Sequence, residues 1–144
     1  MEDIEDNVRS RLIAWPTLLP LIGKDSTGTP RVYPQELPQG KTNIPAIVFH
    51  EIDSQSVEDV SGSSGMGQTR FQFDCIADDV SIAKQMREEV RQCFQGYRGT
   101  LNGQWVHGVS VAGRFSRYES PLQGSPRGRY VRIIDLLFSH EEAT

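Results

Sequence analysis

The chain has 144 residues, 15 of them basic and 19 acidic, for a formal net charge of -4. That length suits one domain able to bury a real core, and the mild acidity argues against a general nucleic-acid binder, which is ordinarily basic. Two cysteines make no disulfide framework, and with no CxxC or HxxxH spacing a metal site is not expected.

The first residues, MEDIEDN, are acidic where a secretion signal is basic. The most apolar run, Leu12 to Ile22, is short and broken by Pro16 and Pro20, whereas a membrane span needs about 20 apolar residues. A soluble protein made in a cytoplasm, with no membrane partner, is the expectation. Residues 2–15 read as a helix, with Ile4, Val8, Arg11, Leu12 and Trp15 near one face and acidic residues enriched at its start. Pro16 stops it. Leu18, Leu19, Leu21 and Ile22 then form a short helical turn that plugs the core, or an arm that docks on a neighbour.

Residues 24–30 are a loop, and Arg31 to Pro34 is a short strand at most, because Pro34 cannot donate to a ladder. Residues 35–45, with Pro38, Gly40 and Pro45, are expected to be irregular. Ala46 to Asp53 is a strand with Ile47 and Phe49 on one side and Val48 and Ile52 on the other. Residues 54–69 hold Gly62, Gly65 and Gly67 among serines and read as a long flexible loop. It is no phosphate loop: the Walker pattern needs Gly-Lys-Ser/Thr and a helix, and here Gln68 and Thr69 follow Gly67 ahead of a strand.

The segment 70–97 is the centre of the reading. Phe71, Phe73, Cys75 and Ala77 alternate with Arg70, Gln72, Asp74 and Ile76, as in a strand with one buried face. Asp78 and Asp79 cap a helix whose apolar stripe is Ile82, Ala83, Met86, Val90, Cys93 and Phe94. Lys84 and Glu88 are spaced to pair, and Gly96 ends the helix in a left-handed conformation. Both cysteines fall on apolar faces and read as buried free thiols. Asn102-Gly103 is the strongest hairpin signal; the return strand carries Trp105, His107, Val109 and Val111, with His107 near solvent. Residues 119–128 are a second loop, Tyr130 to His140 is the last strand, and 141–144 is a frayed tail. The fold class is α+β, one domain over 1–144. It is a mainly antiparallel sheet of four to five strands, with a long central helix on one face and the N-terminal helix beside it.

No catalytic, cofactor-binding or metal site emerges. Asp74, Asp78 and Asp79 read as a cap plus a strand charge, and no Gly-x-Ser-x-Gly elbow supports a serine nucleophile. Charge is segregated, however. Residues 42–69 carry Glu51, Asp53, Glu58 and Asp59 and no Lys or Arg; residues 98–132 carry six arginines, among them Arg114, Arg117, Arg127 and Arg129, against Glu119 alone. Acidic and basic patches suit head-to-tail pairing of identical subunits. Two strand edges in contact within one monomer, or a DNA-facing arginine patch, are the other readings.

The ordered features resemble the tail completion (tail terminator, head-to-tail joining) proteins of long-tailed phages and gene transfer agents. The similarity runs over residues 5–140: the N-terminal helix; Arg31-Val32-Tyr33-Pro34 with Pro38-Gln39-Gly40; Pro45 to Phe49; Phe71 to Asp78 and the central helix; Phe94-Gln95-Gly96-Tyr97-Arg98-Gly99-Thr100-Leu101, the most distinctive piece; and Tyr130 to Leu136 with Phe138. The resemblance implies a non-enzymatic virion protein of the tail or neck, assembled in the host cytoplasm. Its expected partners are further copies in a ring (commonly a hexamer), the tail tube protein, the head completion or connector protein, and genome DNA passing through the lumen without specific binding. The interface residues would be Glu51, Asp53, Glu58, Asp59, Arg114, Arg117, Arg127 and Arg129. The alternatives are another neck adaptor and a small ligand-binding α+β domain.

Overall fold

Apolar residues alternate along Phe71, Phe73, Cys75 and Ala77, and in the computed structural model all four are buried under a helix. The structure describes residues 4–35, 44–59, 62–121 and 128–141. The elements are α1 (Ile4–Ile13), α2 (Leu19–Ile22), β1 (Val32–Pro34), β2 (Ala46–Asp59), β3 (Gly62–Ala77), α3 (Val80–Phe94), β4 (Gly99–Leu101), β5 (Gln104–Glu119) and β6 (Arg129–Glu141). One six-stranded sheet has the order β1-β2-β3-β6-β5-β4. Only β1 and β2 run parallel; every other pairing is antiparallel.

α3 starts at Asp79, whose Oδ1 accepts the Ser81 N–H at 2.8 Å, satisfying one of the free donors of the first turn. Its stripe of Ala83, Met86, Val90, Cys93 and Phe94 is buried on the sheet. Past its end, Gly96 takes φ 77°, a value glycine adopts without a Cβ penalty. The core is a stack of rings. Phe73 lies 5.7 Å from both Phe49 and Phe94, with near-parallel planes, and Phe138 meets Phe71 and Phe94 edge-on. α1 and α2 close the same side through Val8, Leu12, Leu18 and Ile22. α1 is further tied down by Arg11, which donates to the Cys93 carbonyl and lies 3.9 Å over the Tyr97 ring.

Several expectations change. The sheet has six strands rather than four to five, because the short segments at Val32–Pro34 and Gly99–Leu101 both pair. Pro34 is tolerated as the last residue of an edge strand. The flexible loop at 54–69 is instead the outer part of a β2–β3 hairpin, paired as far as Asp59↔Gly62. Its residues alternate no apolar face, so the period-two signal vanishes while the backbone ladder persists. β5 continues past Val111 to Glu119 for the same reason: Arg114 to Tyr118 are all exposed. A bulge between Val106 and Gly108 breaks the predicted alternation, so Val106 and Val109 are the buried pair, and the His107 Nε2 is buried without a partner rather than facing solvent. α1 is described over Ile4–Ile13 and ends before the expected residue 15, while residues 2 and 3 lie outside the described residues. Glu88 pairs with Arg91, not with Lys84. Of the 119–128 loop, Glu119 belongs to β5, Gly128 is buried, and 122–127 lie outside the described residues; in the predicted tail Glu141 belongs to β6 and 142–144 lie outside them.

Candidate functional site

The sheet has two unlike faces. One is covered by the helices. The other carries a small apolar patch, Val48, Ile76, Val131 and Ile133, framed by charge. Arg70 directs Nε and Nη2 at Asp135 Oδ2, at 3.1 and 2.6 Å. Arg117 lies 3.6 Å from Asp74 and 3.2 Å from Glu119, and Arg129 3.3 Å from Glu119. The Asp74 carboxyl is pushed above its usual range by burial, with Arg117 and then His50 pulling it down. Its Oδ1, like that of Asp135, has no hydrogen-bond partner.

The acidic and basic candidates lie on opposite halves of this sheet. Glu51 and Asp53 are exposed on β2; Arg114 and Arg117 are exposed on β5, and Arg129 is half-buried at the start of β6. β3 and β6 separate β2 from β5, which puts the two strands about 14 Å apart at ~4.8 Å per step. That exceeds the screening length of about 8–10 Å in physiological salt. Among the described residues no ion pair joins Glu51 or Asp53 to these arginines; Asp53 accepts from Gln55 instead. Among the described residues, Glu51 and Asp53 are therefore not in contact with Arg114, Arg117 or Arg129 within one monomer. The backbone of Glu58 and Asp59 closes the hairpin, while their side chains and the whole of Arg127 lie outside the described residues.

Sequence reasoning passed over Phe115 and Tyr118. Of six phenylalanines five meet in the core. The sixth, Phe115, is 50 % exposed on β5, and Tyr118, three residues on and on the opposite face, 54 %. Gly113 makes room for the Phe115 ring, which a Cβ there would meet at 3.0 Å. The signal was available: an aromatic between two arginines at 114 and 117 on a strand with no apolar alternation.

The two thiols are free and buried. Burial pushes Cys93 up to about 12 and raises Cys75 as well, so neither forms the reactive thiolate at neutral pH. Among the described residues no group of three His, Cys, Asp or Glu side chains is arranged to hold a metal ion, and no helix is long and apolar enough to cross a membrane.

The features that distinguish this surface are two exposed strand edges of opposite charge, which mark a protein whose chemistry lies in its contacts. Residues 6–123 match the family described as Tail completion protein gp17, and the chain belongs to that family. It is thus a structural component of a phage-type virion, placed in the tail or neck. No curated protein matches it. Among solved structures it is similar to a chain in the virion of a native gene transfer agent particle, at 20% identity and TM-score 0.64. That match covers 96% of this chain and 92% of the other and supports the same fold.

Proposed function

We propose that this protein is a ring-forming tail completion subunit that caps the finished tail tube and joins it to the head connector. Its work is binding rather than reaction: the ring stops tube growth and presents a docking surface. The observation that carries the reading is the placement of Glu51 and Asp53 on one outer half of the sheet and Arg114 and Arg117 on the other. A surface with opposite charges on opposite sides pairs head to tail with copies of itself, and a rotation that closes makes a ring. The tip of the hairpin from Glu51 to Gly67 faces the lumen or the tube, where acidic charge repels passing DNA, and Glu51 and Asp53 nearer its base face a neighbouring subunit. Arg114, Arg117, Arg127 and Arg129 face a neighbouring subunit or partner.

The test is mass by light scattering with negative-stain images, on the protein alone and mixed with purified tail tubes. The expected result is a closed ring, either free or at one end of the tube. A protein that stays monomeric and ignores tubes at high concentration overturns the reading.

A further inference from the structure

β1 pairs only with Ile47, Val48 and Phe49 of β2, and β4 only with Gln104, Trp105 and Val106 of β5. Beyond those points no described strand lies outside β2 or β5, and Glu51–Ser56 and Arg114–Tyr118 are exposed throughout. Within the chain the Val109 carbonyl accepts from the Gly96 N–H and the Phe115 carbonyl from Arg87; edges of this length with no strand beside them are templates for another chain. Two common protections are missing: residues 51–59 and 107–119 contain no proline and no lysine.

The direction of the exposed main-chain groups follows from the ladder. The Ile47 N–H donates to the Arg31 carbonyl, and the Phe49 carbonyl accepts from Gln35 N–H, so both point outward, away from β3. The bulge between Glu51 and Asp53 shifts the alternation by one residue. Ser54 and Ser56 therefore present their N–H and C=O groups outward. Within one chain, three successive antiparallel pairings set β5 antiparallel to β2. A second copy placed alongside by rotation, without inversion, brings its β5 antiparallel against β2 of the first.

Building on the ring reading above, we propose that the outer edge of β2 in one copy pairs through main-chain hydrogen bonds with the outer edge of β5 in a second copy. The sheet then runs on from chain to chain. Charge selects the partner: acidic β2 repels another β2, arginine-bearing β5 repels another β5, and only the unlike edges attract. β1 sets the offset. It fills the space beside Ile47–Phe49, so the incoming β5 meets β2 nearer the hairpin tip. Ser54 stands level with Val109 in its own chain, through Thr69 and Phe138. Meeting Arg114 to Arg117 therefore requires a stagger of several residues, at about 3.4 Å each. A stagger repeated at every copy tilts the strands to the ring axis, as shear does in a closed barrel. Phe115 and Tyr118 then gain the cover they lack in the single chain.

Ser54→Pro tests this directly. It removes an outward N–H while leaving the main-chain bonds between β2 and β3, and Ser54→Ala keeps the N–H; both lose the contact of Ser54 Oγ with Thr69 Oγ1, so Ser54→Ala is the control for it. Light scattering and images of assemblies on tail tubes are compared, with circular dichroism reporting the fold. The expected result is normal assembly of Ser54→Ala and loss of assembly for a folded Ser54→Pro. Assembly of folded Ser54→Pro at the level of the parent overturns edge pairing and leaves the ring reading standing. A parent that never assembles overturns both. If Ser54→Pro does not fold, Ser54→Cys or Ser56→Cys is mixed with Ser116→Cys, all three on the helix side of the sheet, and oxidised. A disulfide in the mixture but not in either variant alone is expected, and its absence in both mixtures overturns the pairing.

Discussion

Phe73 sits at the middle of the ring stack, touching Phe49, Phe71 and Phe94. Phe73→Ala removes a fully buried ring from between α3 and the sheet, and is expected to cost about 3–5 kcal/mol in denaturant unfolding. Asp74, one residue along, points to the other face and has the opposite energetics. Burial raises its pKa, so its charged form is less favoured in the folded state than in the unfolded chain. Above the folded pKa this lowers stability, and the deficit disappears as pH falls through that pKa and the carboxyl takes up its proton. Asp74→Asn, a stand-in for the neutral form, is expected to melt higher than the parent at pH 7 and to match it at pH 3. A variant that melts lower at pH 7 would show that the Arg117 contact outweighs burial. Glu88 runs the other way. Arg91's hydrogen bonds, with the Arg114 charge adding, hold it near 2, so its contribution is present above about pH 4.5 and is lost as pH falls toward 2.

Among the elements, α3 was legible in all but its surface pairing of Glu88. Its cap, stripe and terminal glycine are three local signals that agree, and each reports on its own few residues. Asp79→Ala removes the bond to Ser81 and is expected to cost about 1 kcal/mol, measured by thermal unfolding; an unchanged midpoint would show that Asp78 takes over the cap. The Asn102-Gly103 turn was equally legible, since φ values of 48° and 85° are what a tight hairpin demands of those residues. The outer halves of β2, β3 and β5 were not. A strand is read through alternation, and alternation exists only where one face is buried. At Gln55 opposite Gln68 both residues are exposed, and the buried residues beside Gln68, Gly67 and Thr69, offer no large apolar side chain, so the ladder leaves little imprint on side-chain choice. The same blindness hid the candidate surface. The charges at 51, 53, 114 and 117 could be counted from the sequence, but their separation by β3 and β6 depends on strand order, which charge does not encode.

For the whole molecule, those invisible half-strands are what the fold leaves available to others. The helices and the ring stack consume one face of the sheet, ion pairs cover much of the other, and the edges remain. If the opposed charges steer copies together, assembly is an ionic-strength-dependent process, because exposed charges lose their reach as the screening length falls from about 10 Å at 0.1 M salt to 3 Å at 1 M. Arg114 is the better probe of the two arginines on β5. Arg117 already bridges to Asp74 and Glu119 within the chain, so replacing it disturbs the monomer, whereas Arg114 is exposed on the helix side and holds no such bridge among the described residues. Arg114→Glu is expected to leave the melting temperature within about 2 °C of the parent, as surface substitutions within about 0.5 kcal/mol do. It should weaken self-assembly at least tenfold at 0.1 M salt and much less at 1 M. Adding Glu51→Arg on the same chain swaps the two charges between the edges and is expected to recover most of the loss. Sedimentation of the single and double variants at both salt concentrations checks the pair. Failure of the swap to rescue, with both variants folded, would remove Glu51 and Arg114 from the interface.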